Sequence, residues 1–507
     1  MTNNERTTCL VVGGGPAGMV LGLLMARAGV EVTVLEKHAD FLRDFRGDTV
    51  HASTLALLDE LGLGERFARI PHRLLARMQV QLDNGSFPVA DLRRLPGAHQ
   101  HIALVPQWDL LDLLADAAGE EPTFTLRRNA EARELLYDGH RVAGVRYVDR
   151  ETGAEHELRA SVTVACDGRG STVRAAAGLR PRSFGVPMDV WWFRLPRRDD
   201  DPPGGVGRFT RGHFCVLIDR GDYWQCAYLI RKGSDAALRA AGIEELRRRF
   251  ATLLPWLGDR VDSLRSWDDV RLLDVRLERL RRWDRDGLLL IGDAAHAMSP
   301  VGGVGINLAV QDAVAAARVL GPALASGGIV PRSVLRKVQR RRWWPTVLVQ
   351  GFQRLAHRVV LGQALRNAPG AGPTGAPTLG SATAPTGEPP AAGPTGAPTL
   401  GSATAPTGEP PAAPAGGSAK DPTAAPTLDV GTASATGAPA TGSAASRPPG
   451  MGEVATAGPP PGPIALLTRF PVLQRIPARL IAIGPLPEHA PAWARRPAER
   501  PTSTPRS

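Results

Sequence analysis

The tightest constraint on the fold of this chain is a glycine run near its start, Gly13-x-Gly15-x-x-Gly18. The apolar residues 9–12 before it read as a buried strand, 16–28 behind it as a helix, and 31–35 as a second strand. This is a βαβ unit, and each glycine has its own task in it. Gly13 permits the tight turn, Gly15 lets backbone come close to a diphosphate, and Gly18 lets helix and strand pack closely. The helix, opened by Pro16 and Ala17, turns N–H groups and a positive dipole toward an anion. Glu36, followed by Lys37 at the end of the second strand, offers a carboxylate to the ribose hydroxyls of an adenosine. Strand, helix, glycines and acid in this register imply a dinucleotide site. The bland alternative is a tight glycine turn with an incidental surface glutamate.

The chain is long enough for two or three domains: 507 residues with 43% hydrophobic content can bury a large core. Strand-like runs recur at 80–82 and 87–90 around an Asn84-Gly85 turn, at 142–148 and 162–166, and through 184–230. Helical patterns fill 236–255 and 305–320. The expected fold is α/β. A Rossmann-like nucleotide domain, formed by 1–180 and 270–366 with a β excursion near 75–105, is interleaved with a mostly antiparallel β substrate domain at 181–269.

After about residue 366 aromatic residues vanish until Phe470, and the unit GPTGAPTLGSATAPTGEPPAA at 372–392 is repeated unchanged at 393–413. Such a composition cannot bury enough apolar surface to offset its ordering entropy, so 367–462 is expected to be a disordered insert. Apolar residues then return, so 463–490 is expected to dock on the body, ahead of a disordered tail at 491–507. Within 464–483, Arg469, Arg475 and Arg479 interrupt the apolar run in a pattern that also suits a membrane surface. Pro471 and Pro477 break any long helix there, which favours docking over peripheral membrane contact.

Formal charge is +11, yet the arginines that carry it are scattered through segments that also read as core. Nucleic-acid binding needs basic residues gathered on one face with interleaved aromatics, and is not expected. Cys9, Cys166, Cys215 and Cys226 stand far apart in apolar runs, outside any paired metal or redox spacing. Buried free thiols, no metal and a reducing, cytoplasmic compartment are the expectation. The polar stretch 1–8 runs into the first strand without the basic and apolar regions of a secretory leader. No run of about 18 uncharged apolar residues suggests a membrane span.

Two further motifs narrow the dinucleotide. Cys166-Asp167-Gly168-x-x-Ser171-x-x-Arg174 follows a strand, and taken alone it also fits an Asx turn with a helix cap at Ser171. Gly292-Asp293-Ala294-Ala295-His296 follows the apolar run 288–291, and Pro300 and Gly302-Gly303-x-Gly305-Ile306-Asn307 come next. Together the three ordered motifs resemble the FAD-dependent aromatic hydroxylases of the p-hydroxybenzoate hydroxylase type, the group A flavoprotein monooxygenases; the chain is similar also to ubiquinone-biosynthesis hydroxylases. The resemblance spans residues 9 to about 320 and does not extend to the repeat insert.

The resemblance implies non-covalent FAD, NAD(P)H as co-substrate, and hydroxylation of an aromatic or similarly electron-rich small molecule with O2 through a flavin C4a-hydroperoxide. On that reading Asp167 adjoins the cofactor and Asp293 binds ribityl hydroxyls. The backbone at Gly303, Gly305, Ile306 and Asn307 lies along the isoalloxazine ring, with Pro300 on its substrate side. The helix opening near Gly305 points N–H groups at the pyrimidine edge, where reduced flavin carries negative charge. Arg46 resembles the arginine that reaches the diphosphate and receives NAD(P)H, and Gln107, opening a helix at 108–118, resembles a flavin-contacting residue. No covalent catalytic residue is implied, so Pro300 and Arg46 are the candidates for a part in the reaction. His296 reads as structural, amid cofactor scaffolding with no paired acid nearby. Substrate-wall residues are expected among Trp191, Trp192, His213, Tyr223, Tyr228 and Arg231, with strand alternation turning about half of them away.

Three alternatives stay open. Trp191-Trp192-Phe193-Arg194-Leu195-Pro196 comes close to the W-x-W-x-I-P motif of flavin-dependent halogenases, but those enzymes need a lysine early in the chain, and none stands between Lys37 and Lys232. A flavin-dependent reductase or dehydrogenase of a polyprenyl-like substrate is a second. A membrane-surface scaffold that merely retains flavin is the third.

Overall fold

A computed structural model describes residues 4–42, 49–201, 205–210, 213–358 and 462–497. Arg46 and the repeat insert lie outside the described residues. Five strands run parallel in one sheet, in the order Leu288–Leu290, Glu155–Ala165, Asn4–Val12, Val32–Leu35 and Phe124–Arg127. Their register aligns the C-terminal ends, because Val12 pairs with both Ala165 and Leu35, and Ala165 with Leu290. The Val- and Leu-rich runs suit a sheet buried on both faces. Helix Pro16–Arg27 is buried from Ala17 to Ala26 and packs against helix Gly305–Ala325. Ala130–Asp138 and Arg141–Asp149 extend the sheet antiparallel beside Glu155–Ala165.

The second sheet has seven strands, in the order Arg271–Leu273, Met188–Pro196, Tyr223–Arg231, His213–Asp219, Gly205–Thr210, Arg77–Leu82 and Gly85–Asp91. All its pairings are antiparallel except the join of Gly205–Thr210 to Arg77–Leu82. The early hairpin therefore belongs to this sheet, by its hydrogen bonds to Gly205–Thr210. Alternation divides this sheet into two apolar faces. One carries Trp191, Phe193, Cys215, Leu217, Cys226 and Tyr228 under helix Ile243–Leu253. The other carries Val190, Trp192, Phe214, Val216, Ala227 and Leu229 in a cluster with Val301. The helical pattern at 236–255 is two helices, Asp235–Ala240 and Ile243–Leu253, parted at Gly242 with φ 87°.

Helix Arg332–Ala356 closes the body, and helices Gly462–Arg469 and Arg475–Ala482 return the chain to it. Pro477 sits in the first turn of the latter helix, where a missing N–H sacrifices no intrahelical bond. Ala478, Ile481 and Ala482 are buried with Met298, Val304, Leu308 and Val349. Residues 491–497, expected in a disordered tail, instead pack on the body. Ala494 is buried and its carbonyl accepts from Arg27, while the Trp493 ring lies against Gly321. An indole and an alanine with apolar cover outweigh the surrounding prolines and arginines. Val301–Ala325 is long and apolar enough to cross a membrane, but 67% of its most apolar window is buried inside the fold. Its place against Pro16–Arg27 accounts for that composition.

Candidate active site

The three motif loops and Glu36 all leave the C-terminal ends of adjacent parallel strands, the edge at which open α/β sheets bind ligands. Gly13 has φ 103°, and a Cβ there would lie 2.6 Å from the Cys166 carbonyl oxygen, so first and second motif touch through a residue that must be glycine. A Cβ on Gly18 would sit 1.9 Å from the Gly13 carbonyl oxygen. Gly15 differs from both. Its φ of −76° and ψ of −176° are ordinary extended backbone, and a Cβ would meet no atom within 4 Å. The protein leaves open space where a diphosphate would approach the helix. Glu36 is buried, and its carboxylate accepts from the N–H of Gly14 at 2.8 Å and of His38 at 3.1 Å, which fixes it behind the turn. Lys37 is exposed beyond it.

Ser171 caps the short helix Thr172–Ala176, its hydroxyl oxygen accepting from the Arg174 N–H at 2.9 Å, and Asp167 backs that cap. Its carboxylate accepts from the Ser171 hydroxyl at 2.5 Å and the Val173 N–H at 3.1 Å, while burial pushes its pKa up against these bonds. The helix cap at Ser171 weighed from sequence is therefore present, whereas the Asp167 carboxylate reaches six residues ahead rather than closing an Asx turn. Arg174 reaches on to the Ala294 carbonyl at 3.0 Å, and Arg169 stands 3.6 Å from the half-buried Asp293 carboxylate. The second and third motifs are thus tied side by side.

Pro300 leads into a 3-10 turn, Val301–Gly303, and then into helix Gly305–Ala325, whose first-turn amides have no intrahelical acceptor. A segment missed by sequence reading holds this loop. Thr49 donates its hydroxyl to the Gly303 carbonyl at 3.2 Å, and Ser53 and Thr54 donate to Asn307 Oδ1 at 2.7 and 2.9 Å. Asn307 is buried, and its Nδ2 has no hydrogen-bond partner among the described residues. His51, also buried, bonds through Nδ1 to the Ile481 carbonyl at 2.8 Å, and burial pulls its pKa down to about 4. The C-terminal segment thereby backs the loop. Gln107 opens helix Gln107–Gly119, which packs on Pro16–Arg27.

His296 does have a paired acid, contrary to the sequence reading: its Nε2 lies 2.5 Å from Asp312 Oδ2. The partner is 16 residues downstream, inside a helix, where no local pattern reveals it. Asp312 also accepts from Arg342 Nε at 2.9 Å and the Gly292 N–H at 3.1 Å, and Arg342 stands 3.5 Å from Glu488. All four side chains are buried. Burial alone would raise the Asp312 pKa, but the His296 and Arg342 charges outweigh it and hold it low. This network braces the Gly292-Asp293 loop against the last helices, a structural role for His296.

Of the expected wall residues, Trp191 and Tyr228 point under helix Ile243–Leu253, and His213 bonds to the Tyr228 hydroxyl at 2.5 Å. Trp192 lies on the face that shares a cluster with Val301. Tyr223 and Arg231 have the same strand parity as Ala227, which pairs with Trp192, but stand at the strand's two ends.

Fold and loops define a dinucleotide-binding α/β protein whose three motifs converge on one sheet edge facing an apolar β wall. The chain belongs to the FAD binding domain family, whose model matches residues 6–337. It is an FAD-dependent monooxygenase of the aromatic hydroxylase class. The chain is 36% identical over 346 residues to a 6-methylpretetramide 4-monooxygenase of Streptomyces rimosus, covering 67% of this chain and 81% of that one. It is 27% identical over 360 residues to a para-nitrophenol 4-monooxygenase of a Pseudomonas species, covering 66% and 82%. The solved structure of OxyS anhydrotetracycline hydroxylase from Streptomyces rimosus superposes with a TM-score of 0.58 at 26% identity, over 71% of this chain and 70% of that one.

Proposed function

We propose that the chain hydroxylates an electron-rich aromatic small molecule held between the loop 300–307 and the seven-stranded sheet, using NAD(P)H and O2. The observation that carries this reading is the apolar cluster joining Val301 to Trp192, Val216, Ala227 and Leu229, which lies against the loop that follows Pro300. A wall of this kind suits an aromatic ring and excludes water from the reacting atoms. The names of the relatives make 6-methylpretetramide and anhydrotetracycline the first compounds to test.

The residues present fit FAD. The open space at Gly15 and the unpartnered Nδ2 of buried Asn307 are a phosphate approach and a donor without an acceptor. Gly13, Gly15, Pro16, Ala17 and Gly18 would hold the diphosphate at the helix N-terminus, and Glu36 with Lys37 the adenosine. Asp293 would hold the ribityl chain, with Asp167 and Gln107 beside the cofactor. Gly303, Gly305, Ile306 and Asn307 would line the ring. When bound, FAD accepts hydride from NAD(P)H and activates O2, so that one oxygen atom passes to the substrate. The first-turn amides of Gly305–Ala325 and the positive end of its dipole would favour negative charge on a ring held there. Pro300 shapes the substrate side, and Arg46 receives NAD(P)H. The four free thiols suit a reducing compartment, and we place the protein in the cytoplasm.

The test is turnover of these compounds with NAD(P)H under isotope-labelled O2. Substrate-stimulated NAD(P)H oxidation and a product carrying one labelled oxygen atom are expected. Labelled hydrogen peroxide with unchanged substrate, across a broad panel of phenols and tetracycline precursors, would remove the aromatic-hydroxylase reading.

A further inference from the structure

The C-terminal segment that backs the flavin loop is two-faced. Its inner side buries Ala478, Ile481 and Ala482, but its outer side leaves Leu466 51%, Phe470 48%, Val472 66% and Ile476 65% exposed. Four large apolar side chains open to solvent within eleven residues are unusual for a surface that meets only water. Beside them stand Arg469, Arg475 and Arg479, all exposed and without an ion pair among the described residues, Arg469 lying over the Phe470 ring. From 462 to 483 the sequence holds no Asp or Glu. The next acid, Glu488, is buried against Arg341 and Arg342. The 3-10 turn Leu92–Arg94, which packs on helix Arg475–Ala482, adds Arg93 and Arg94, with Asp91 as their partner.

A second element has the same character. Helix Arg332–Ala356 enters the same buried cluster through Val349, and it exposes Trp344, Leu348 and Leu355. Lys337 and Arg340 lie on its exposed positions, Arg336 beside them pairs with Asp284 at 3.5 Å, and no acid occurs from 332 to 358.

We propose that the outer face of the C-terminal segment 464–479 docks on an anionic lipid surface, with Leu466, Phe470, Val472 and Ile476 entering the headgroup boundary and Arg469, Arg475 and Arg479 meeting lipid phosphates. Charge selects this occupant. A second copy of the chain would set unpaired arginines against unpaired arginines, which repel. Nucleic acid would gain little from Leu, Val and Ile, which offer no stacking face. An interfacial amphipathic segment combines apolar anchors with basic flanks in this way. Docking by this face leaves the opposite side of the same helix holding His51 through the Ile481 carbonyl, so membrane contact and flavin-loop geometry meet in one element.

The experiment is flotation of the full-length holoenzyme with vesicles of phosphatidylcholine alone, and of about three parts phosphatidylcholine to one part phosphatidylglycerol. The protein should float with the anionic vesicles and not with the neutral ones, and high salt should release it. Each basic residue near an anionic surface contributes roughly fivefold in partitioning, so Arg469→Glu, Arg475→Glu and Arg479→Glu together should weaken binding by on the order of a hundredfold or more. Phe470→Ser with Ile476→Ser should weaken it at unchanged salt dependence. These side chains are exposed, so FAD content and melting temperature serve as checks that both variants fold. No flotation with anionic vesicles at low salt, or flotation indifferent to both variants, overturns the proposal. So does lipid-free dimerisation that the same substitutions abolish, which would make the face an interface between copies.

Discussion

Gly15 and Gly18 stand three residues apart across the start of one helix, yet the structure assigns their replacement opposite consequences. At Gly15 the backbone is already in a region that valine favours, and an added Cβ meets nothing within 4 Å. Gly15→Val should therefore leave the apoprotein within about 1 kcal/mol of wild type, because the stiffer unfolded chain, about 0.4–1 kcal/mol, is offset by a poorer helix N-cap. FAD binding should fail, because the branched side chain stands where phosphate must approach. Losing even one charge-assisted hydrogen bond of about 1.5–3 kcal/mol weakens affinity roughly ten- to a hundredfold, and blocking the approach removes several. At Gly18 the added Cβ lands 1.9 Å from a backbone oxygen. Ordinary contact is about 3.4 Å, so Gly18→Ala must push helix and turn apart by about 1.5 Å, at an overpacking cost of about 1–3 kcal/mol or more. Thermal melts of the two apoproteins, with fluorescence titration by FAD, separate these effects. A Gly15→Val apoprotein that melts several degrees below wild type, or that binds FAD with wild-type affinity, would refute the assignment of that space to the cofactor.

Three further outcomes follow from the site. Asp293→Ala should weaken FAD roughly ten- to a hundredfold by loss of a charge-assisted bond, read as partial flavin occupancy after dialysis. Arg46→Ala should keep most of its flavin but slow reduction by NAD(P)H, and wild-type rates in anaerobic stopped flow would remove Arg46 from the mechanism. His51 gives a pH dependence: its unfolded imidazole titrates near ~6.5, whereas burial in the fold lowers it to about 4. The folded chain rejects a proton that the unfolded chain accepts, so stability is complete above ~6.5 and declines as pH falls toward about 4, by up to ~3 kcal/mol. His357, likewise drawn down to about 4 by burial, adds to the slope. His51→Asn, which keeps a donor for the Ile481 carbonyl, should flatten the melting-temperature profile there, and an unchanged profile would exclude His51 as a source.

The parts of the site legible in the sequence were those fixed by local backbone geometry. Gly13 and Gly18 announce a turn and a close packing through their own spacing, and the motifs at Asp167 and Asp293 each follow an apolar run that pairs in the parallel sheet. What escaped was held together by distant partners. The Asp312, Arg342 and Glu488 side chains join His296 only after the last helices pack, and Thr49, His51, Ser53 and Thr54 clamp a loop some 250 residues away. Strand parity was hidden for another reason. Both faces of the seven-stranded sheet are apolar, so Trp191 and Trp192 look alike in sequence although one is covered by a helix and the other faces Val301. The tail misread at 491–497 carries only one large apolar residue, Trp493, and a single indole against Gly321 is not a periodic signal.

The central claim, that this sheet edge is a non-covalent FAD site, is tested most directly by heat-denaturing the purified protein and analysing supernatant and pellet for flavin. The protein should be yellow, and FAD should appear in the supernatant in an amount approaching one per chain. A colourless protein that takes up no added FAD, or flavin that stays with the pellet, would contradict it.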